Sequence, residues 1–159
     1  MATAGIWRPI RLESWSGVRI DSVRPLAGVN GDSGILDTRL ALAWAPGADD
    51  EVTATVRVGG AATGLTVPAG TPSAVVTVSV PDVHLWWPRG YGDQPLYDVS
   101  VTLTGVDSEL GTWQGRVGFR TVTLDTAPDE HGSPFVLAVN NRPVYIRGAS
   151  PGRVRLLNK

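Results

Sequence analysis

An all-β fold, an immunoglobulin-like antiparallel β-sandwich of about seven strands, is predicted by three features of the sequence. Short runs rich in β-branched residues alternate apolar and polar positions, which sets one face of each strand in a core and the other in water. Clusters of Gly, Pro and Asp punctuate these runs at turn-like intervals. No segment carries the 3.6-residue periodicity of an amphipathic helix.

The elements follow in order. Gly5 to Trp15 is strand-like, with Ile6, Ile10 and Leu12 on one face, and breaks at Ser16-Gly17. A strand then runs from Val18 to Leu26; Val18 and Ile20 share a face that Val23 does not, so the strand bends. Leu36, Thr38, Leu40, Leu42 and Trp44 form one face of the next strand, with Asp37, Arg39 and Ala41 opposite. Val52, Ala54, Val56 and Val58 alternate, and Gly59-Gly60 ends that run as a turn. Ala74, Val76, Val78 and Val80 repeat the pattern, as do Tyr97, Val99, Val101 and Leu103. Trp113, Gly115, Val117 and Phe119 continue it, but Val122 and Leu124 are out of phase, which predicts a bulge or bend near Arg120. Asp125 to Pro134 is a polar linker. Beyond it, Phe135, Leu137 and Val139, then Val144 and Ile146, flank Asn140-Asn141, a pair suited to the positive φ angles of a two-residue hairpin. The expected architecture is therefore a sandwich with an extra N-terminal strand and a C-terminal hairpin.

Composition narrows the function classes. A formal net charge of −1 argues against a nucleic-acid partner. No apolar run approaches the roughly 20 residues of a membrane helix, so no membrane partner is expected. The N-terminus lacks the basic and apolar regions of a signal peptide, which in a piece of a longer protein carries little weight. Compartment stays open between cytoplasmic and secreted. The absence of cysteine excludes disulfides, thiol catalysis and thiolate metal sites. Lys159 is the single lysine among 14 basic residues; with abundant Ala, Val and Gly this points to a GC-rich bacterial genome.

The segment Leu85 to Tyr97, LWWPRGYGDQPLY, is the most distinctive stretch. Its prolines and glycines exclude helix and ladder, so it is a shaped connection. Trp86, Trp87 and Tyr91 suit a platform for stacking a sugar ring, since such rings combine apolar area with a polar tip. They equally suit a plug that closes one end of the sandwich against an adjacent domain, and the plug is the preferred reading. Pro88 and Pro95 stiffen either arrangement. Arg120, beside the phase break, is either a plain surface residue or the partner of a carboxylate across a domain boundary.

Four blocks in order resemble glycoside hydrolase family 2, most closely its β-mannosidase branch. Gly5 to Glu13 (GIWRPIRLE) is similar to the last strand of the family's N-terminal jelly roll. LWWPRGYGDQPLY followed by DVSVTL resembles the approach to the penultimate sandwich strand, and Val117 to Val122 (VGFRTV) the last one. Phe135 to Gly148 (FVLAVNNRPVYIRG) resembles the lead-in to the catalytic (β/α)8 barrel. The resemblance implies a remnant of the jelly roll over 1–16, the immunoglobulin-like sandwich over 17–125, a linker and lead-in hairpin over 126–148, and an atypical tail over 149–159. After Arg147-Gly148-Ala149 the family continues with Asn and Trp, whereas this chain has Ser150-Pro151-Gly152, so no active-site role is carried onto those positions.

A retaining glycosidase needs two carboxyl groups about 5 Å apart. By resemblance, both are glutamates on later barrel strands. Glu13, Glu51, Glu109 and Glu130 all fall near turns, strand ends or loops and are expected to be solvated. Asp125, Asp129, Glu130 and His131 offer oxygen ligands for a hard cation, but their spacing fits no loop motif and a solvated linker is preferred. His84 is expected to be a hydrogen-bonded structural residue. No catalytic residue, cofactor or metal is therefore assigned to this chain. The preferred function is a non-catalytic inter-domain module of a β-mannosidase-like hydrolase, whose partners are the neighbouring domains. The alternative is an independent carbohydrate-binding module using Trp86, Trp87 and Tyr91. An adhesion-type immunoglobulin-like domain explains the strands but not the two flanks. Orphaned apolar edges on those flanks predict self-association.

Overall fold

The computed structural model describes residues 5, 9, 10, 12–128, 130, 132 and 135–145. Seven strands build the sandwich: β1 (Val18–Asn30), β2 (Ser33–Trp44), β3 (Val52–Val58), β4 (Ala61–Val67), β5 (Ser73–Val80), β6 (Tyr97–Thr104) and β7 (Glu109–Val117). One sheet has the order β1-β2-β5 and the other β4-β3-β6-β7, all antiparallel. Three more strands, β8 (Val122–Asp125), β9 (Val136–Val139) and β10 (Arg142–Pro143), form a small separate sheet in the order β10-β9-β8.

The period-two faces become the core. Leu36, Thr38, Leu40 and Leu42 of β2 and Val76, Val78 and Val80 of β5 are buried from one sheet. Val52, Ala54, Val56 and Val58 of β3 and Val99, Val101 and Leu103 of β6 are buried from the other. Each such Val or Leu contributes about 1.5–3 kcal/mol by leaving water, so these two facing layers supply the driving force for the fold. Thr38 is the exception in chemistry: it is fully buried, and its hydroxyl oxygen has no hydrogen-bond partner.

The bend expected in the first strand is a slip in pairing between Ile20 and Ser22, after which β1 continues to Asn30. The Gly59-Gly60 turn joins β3 to β4 with both residues at positive φ, 55° and 82°. β4 itself escaped the sequence pattern. It pairs with β3 only, and Val67 is its one fully buried residue, so no apolar alternation marks it.

The bulge or bend expected near Arg120 is a bend that changes sheet, not a bulge within one strand. β7 ends at Val117, Gly118 and Phe119 turn inward, and Val122 begins β8 in the small sheet. Phe119 is fully buried and meets the Tyr97 ring edge-on at 5.1 Å, which anchors the crossing. The expected N-terminal strand, by contrast, is not formed by its described residues. Pro9, Ile10 and Leu12 to Trp15 have no ladder partner, and Ile10 and Leu12 are 79% and 97% exposed. A strand is stable only when a neighbour pairs its backbone; Ile6 lies outside the described residues. Instead Arg19 of β1 reaches back to this segment, with its guanidinium 4.2 Å from the Trp15 ring and ion pairs to Glu13 at 3.2 Å and Asp21 at 3.1 Å.

The C-terminal hairpin forms as expected. Asn140 and Asn141 have φ of 49° and 62°, the left-handed pair that a two-residue turn requires. β8 joins it as a third strand, pairing Val122 with Val139 and Leu124 with Leu137.

Candidate functional site

The aromatic segment lies between β5 and β6 at one end of the sandwich, without strand or helix. Its shape comes from its own hydrogen bonds. Trp87 N–H donates to Asp93 O at 2.8 Å, Tyr91 N–H to Pro88 O at 2.9 Å, and Gln94 Nε2 to Trp87 O and Gly92 O. These bonds close a compact loop whose polar groups are satisfied locally, as a connection that cannot join a ladder requires.

Trp86 ties this loop to the β7–β8 crossing. Its amide donates to Phe119 O at 2.9 Å. A Cβ at position 118 would sit 2.8 Å from the Trp86 ring, so only glycine admits this contact. Arg120 lies over the same ring at 4.7 Å and donates from Nη1 to Gly118 O at 3.2 Å. The arginine is thus stacked and oriented, but no described carboxylate pairs with it. Trp86 and Trp87 are both half-buried.

Asn140 joins the hairpin to both. Its backbone N–H donates to Thr121 O at 3.0 Å, its Oδ1 accepts from Thr121 N–H at 3.0 Å, and its Nδ2 donates to Trp86 O at 3.1 Å. One turn residue therefore holds three elements together: the β9–β10 hairpin, the β7–β8 crossing and the aromatic loop. A second tie lies alongside. Tyr91 Oη accepts from Tyr145 N–H at 2.9 Å, and Arg142 sits over the Tyr91 ring at 5.2 Å. Between loop and hairpin lies an open groove of about 730 Å³, lined by Arg89, Tyr91, Leu137, Arg142 and Tyr145 among others.

The sequence candidates Trp86 and Arg120 are thus brought together, and Trp87 and Tyr91 share their loop. Asn140, Arg142 and Tyr145, which complete the cluster, were not singled out as site residues; Asn140 was read for its turn conformation, and its side-chain amide carried the further signal. Glu13 pairs with Arg19, while Glu51, Glu109 and Glu130 are exposed. Of the acidic linker residues, Asp129 and His131 lie outside the described residues, and so does Ile146 of the hairpin. Among the described residues no three His, Cys, Asp or Glu side chains are grouped to hold a metal. His84 is exposed and is tied through its backbone amide, which donates to Tyr97 Oη at 2.8 Å, rather than through its ring. No helix among the described residues is long and apolar enough to cross a membrane.

The sequence pattern of glycosyl hydrolases family 2 matches residues 18–120, from the first residue of β1 to Arg120. The chain belongs to this family. β-Mannosidase B of Aspergillus flavus is 31% identical over 94% of the family 2 chain, which covers 18% of that protein. The Aspergillus oryzae β-mannosidase B matches to the same extent. The crystal structure of β-D-mannosidase from Dictyoglomus thermophilum superposes with a TM-score of 0.78 at 26% identity, over 92% of this chain and 19% of that one. An exo-chitosanase of Amycolatopsis orientalis shares the fold with a TM-score of 0.66 at 21% identity, over 83% and 16% of the two chains. The family 2 chain thus spans less than a fifth of the length of the relatives it matches.

Proposed function

We propose that this chain is a non-catalytic sandwich module of a β-mannosidase-like family 2 glycosidase, and that it holds a neighbouring domain in a fixed orientation. The module extends over residues 17–125, with 1–16 belonging to a preceding jelly roll, 126–148 leading into a catalytic barrel and 149–159 an atypical tail. The observation that carries this reading is the Asn140 junction. It uses three hydrogen bonds to bind the hairpin to the sandwich end, where a flexible linker would use none. Catalysis depends on reacting groups held within about 0.5 Å, so a rigid junction well away from the chemistry serves it.

The aromatic rings favour the same reading over a sugar platform. The Trp86 ring carries Arg120, the Tyr91 ring carries Arg142, and Trp87 packs on the backbone of Gly92, 2.8 Å from the Cβ position there. Each ring is already engaged by the protein itself.

Two measurements test the proposal. The purified chain incubated with 4-nitrophenyl β-mannoside is expected to release no nitrophenol, and turnover by contaminant-free protein overturns the non-catalytic assignment. Tryptophan fluorescence titrated with mannobiose into the millimolar range is expected to stay flat. A saturable change lost in Trp86→Ala or Trp87→Ala makes the chain a carbohydrate-binding module instead.

A further inference from the structure

The small sheet β10-β9-β8 has one aliphatic face. The register pairs Val122 with Val139 and Leu124 with Leu137, so these four side chains share a side. Val144, whose N–H donates to Leu137 O, extends the hairpin beside them. Thr123, Asp125, Val136, Ala138 and Pro143 take the opposite side, which therefore mixes polar and apolar groups. A sheet with one apolar face is stable in water when a second layer covers that face. Here the aromatic loop covers only one end: Val139 is 4% exposed, but Val122 and Leu124 are 55% and 49% exposed.

The rim of this face has a definite charge. Arg89 and Arg142 line the groove at its covered end, and none of the described residues lining it carries a carboxylate. Arg142 is preoriented by its stack over Tyr91. Aliphatic area flanked by Arg and Tyr is the composition of protein-interface anchors. It suits a sugar poorly, because aliphatic walls leave hydroxyls unpaired. A second copy of this chain brings the same two arginines. The relatives, by contrast, carry more than four-fifths of their length outside the matched region, which leaves ample polypeptide to cover this face.

We propose that the aliphatic face of the β8–β9–β10 sheet, with Arg89, Tyr91 and Arg142 at its rim, is a docking surface for an apolar protein segment flanked by carboxylates. This inference rests on the module reading above and names the chemistry of the neighbour: the aliphatic side chains meet Val122 and Leu124, and the carboxylates meet the two guanidinium groups.

The test uses the intact 159-residue chain. A library of random 12-residue peptides is panned against it, and the enriched peptides are synthesised. The expected consensus joins Asp or Glu to Leu, Ile, Val or Phe. Binding is expected to fall about thirtyfold in Arg142→Glu, comparably in Val122→Asp, and less in Arg89→Glu, which sits on an exposed loop where substitution leaves the fold intact. Replacing the acidic residues of a peptide by Lys is expected to restore binding to Arg142→Glu. Enrichment of peptides without acidic residues, equal binding to the charge-reversed chains, or no enrichment above background overturns the proposal. So do two other results: saturable NMR shifts of Tyr91 and Tyr145 with mannobiose, or a dimer in light scattering that Val122→Asp dissociates. Failure of the module reading looks different, since it is seen as glycoside turnover or as a sugar response at Trp86 and Trp87 while the peptide result stands.

Discussion

Removing the Asn140 side chain tests whether the hairpin is a fixed part of the sandwich end. Asn140→Ala deletes the bonds from Oδ1 to Thr121 N–H and from Nδ2 to Trp86 O, both part-buried. Each lost bond costs about 1–1.5 kcal/mol, the part-buried partner left behind included. The native φ of 49° adds about 1 kcal/mol against alanine, because a Cβ crowds the carbonyl in the left-handed region. The total is about 3–4 kcal/mol, enough to release the hairpin if its docking is marginal. Asn140→Gly loses the same two bonds without the backbone strain, so it should recover about 1 kcal/mol of that loss. The assay is native-state hydrogen exchange. In Asn140→Ala the amide of Val144, which bonds to Leu137 O, should lose protection, while Val56 and Val101 in the core strands keep theirs. Unchanged protection at Val144, or a difference below about 0.5 kcal/mol from wild type, refutes the junction argument.

Three further outcomes are expected. Thr38→Val removes a buried hydroxyl that lacks a partner and should raise stability by about 1–2 kcal/mol in urea titration; a loss would reveal a bond that the geometry lacks. Gly34→Ala places a Cβ 2.7 Å from the Phe119 ring and 2.8 Å from Val83, and overpacking of this kind should destabilise by about 1–3 kcal/mol, with a smaller penalty when Phe119→Leu is present; strict additivity in the double-mutant cycle would show that the two do not touch. Arg19→Ala should make Trp15 fluorescence more accessible to acrylamide while shifting global stability by less than about 1 kcal/mol, because the pairs with Glu13 and Asp21 are exposed; a larger shift would mean that the segment before β1 belongs to the core.

The core was legible because burial imposes a period of two: Leu36 to Leu42 and Val52 to Val58 occupy the interior positions that their alternation predicts. Alternation is silent where only one neighbour and little burial shape a strand, which is why Ala61–Val67 passed unread. It is ambiguous where the chain changes sheet. A bulge and a sheet switch both reverse the inward face, so Phe119 followed by Val122 is compatible with either, and only the buried turn at Gly118 separates them. At the site, composition singled out the unusual side chains Trp86, Trp87, Tyr91 and Arg120. The Asn-Asn pair announced its backbone angles, because those are local. Its hydrogen-bond partners are set by which chain segments the two large sheets bring to one end, and no local pattern encodes that.

Both ties between loop and hairpin, Trp86 to Asn140 and Tyr91 to Tyr145, link residues 54 positions apart. Neither joins residues of the sandwich core, which is built from β1 to β7 together with Phe119 of the crossing. The sandwich pattern could close without the hairpin, yet the loop spends its most shaped residues on it. Trp86 needs a glycine at 118 and Tyr91 presents its oxygen to a backbone amide beyond β10. A connection that only plugged the sandwich would have no use for contacts directed outward along the chain. The direction of these contacts, more than the presence of aromatic rings, is what favours an inter-domain role over a sugar platform. It also states where the role can fail: if the hairpin detaches readily while the sandwich stays folded, the loop orients nothing.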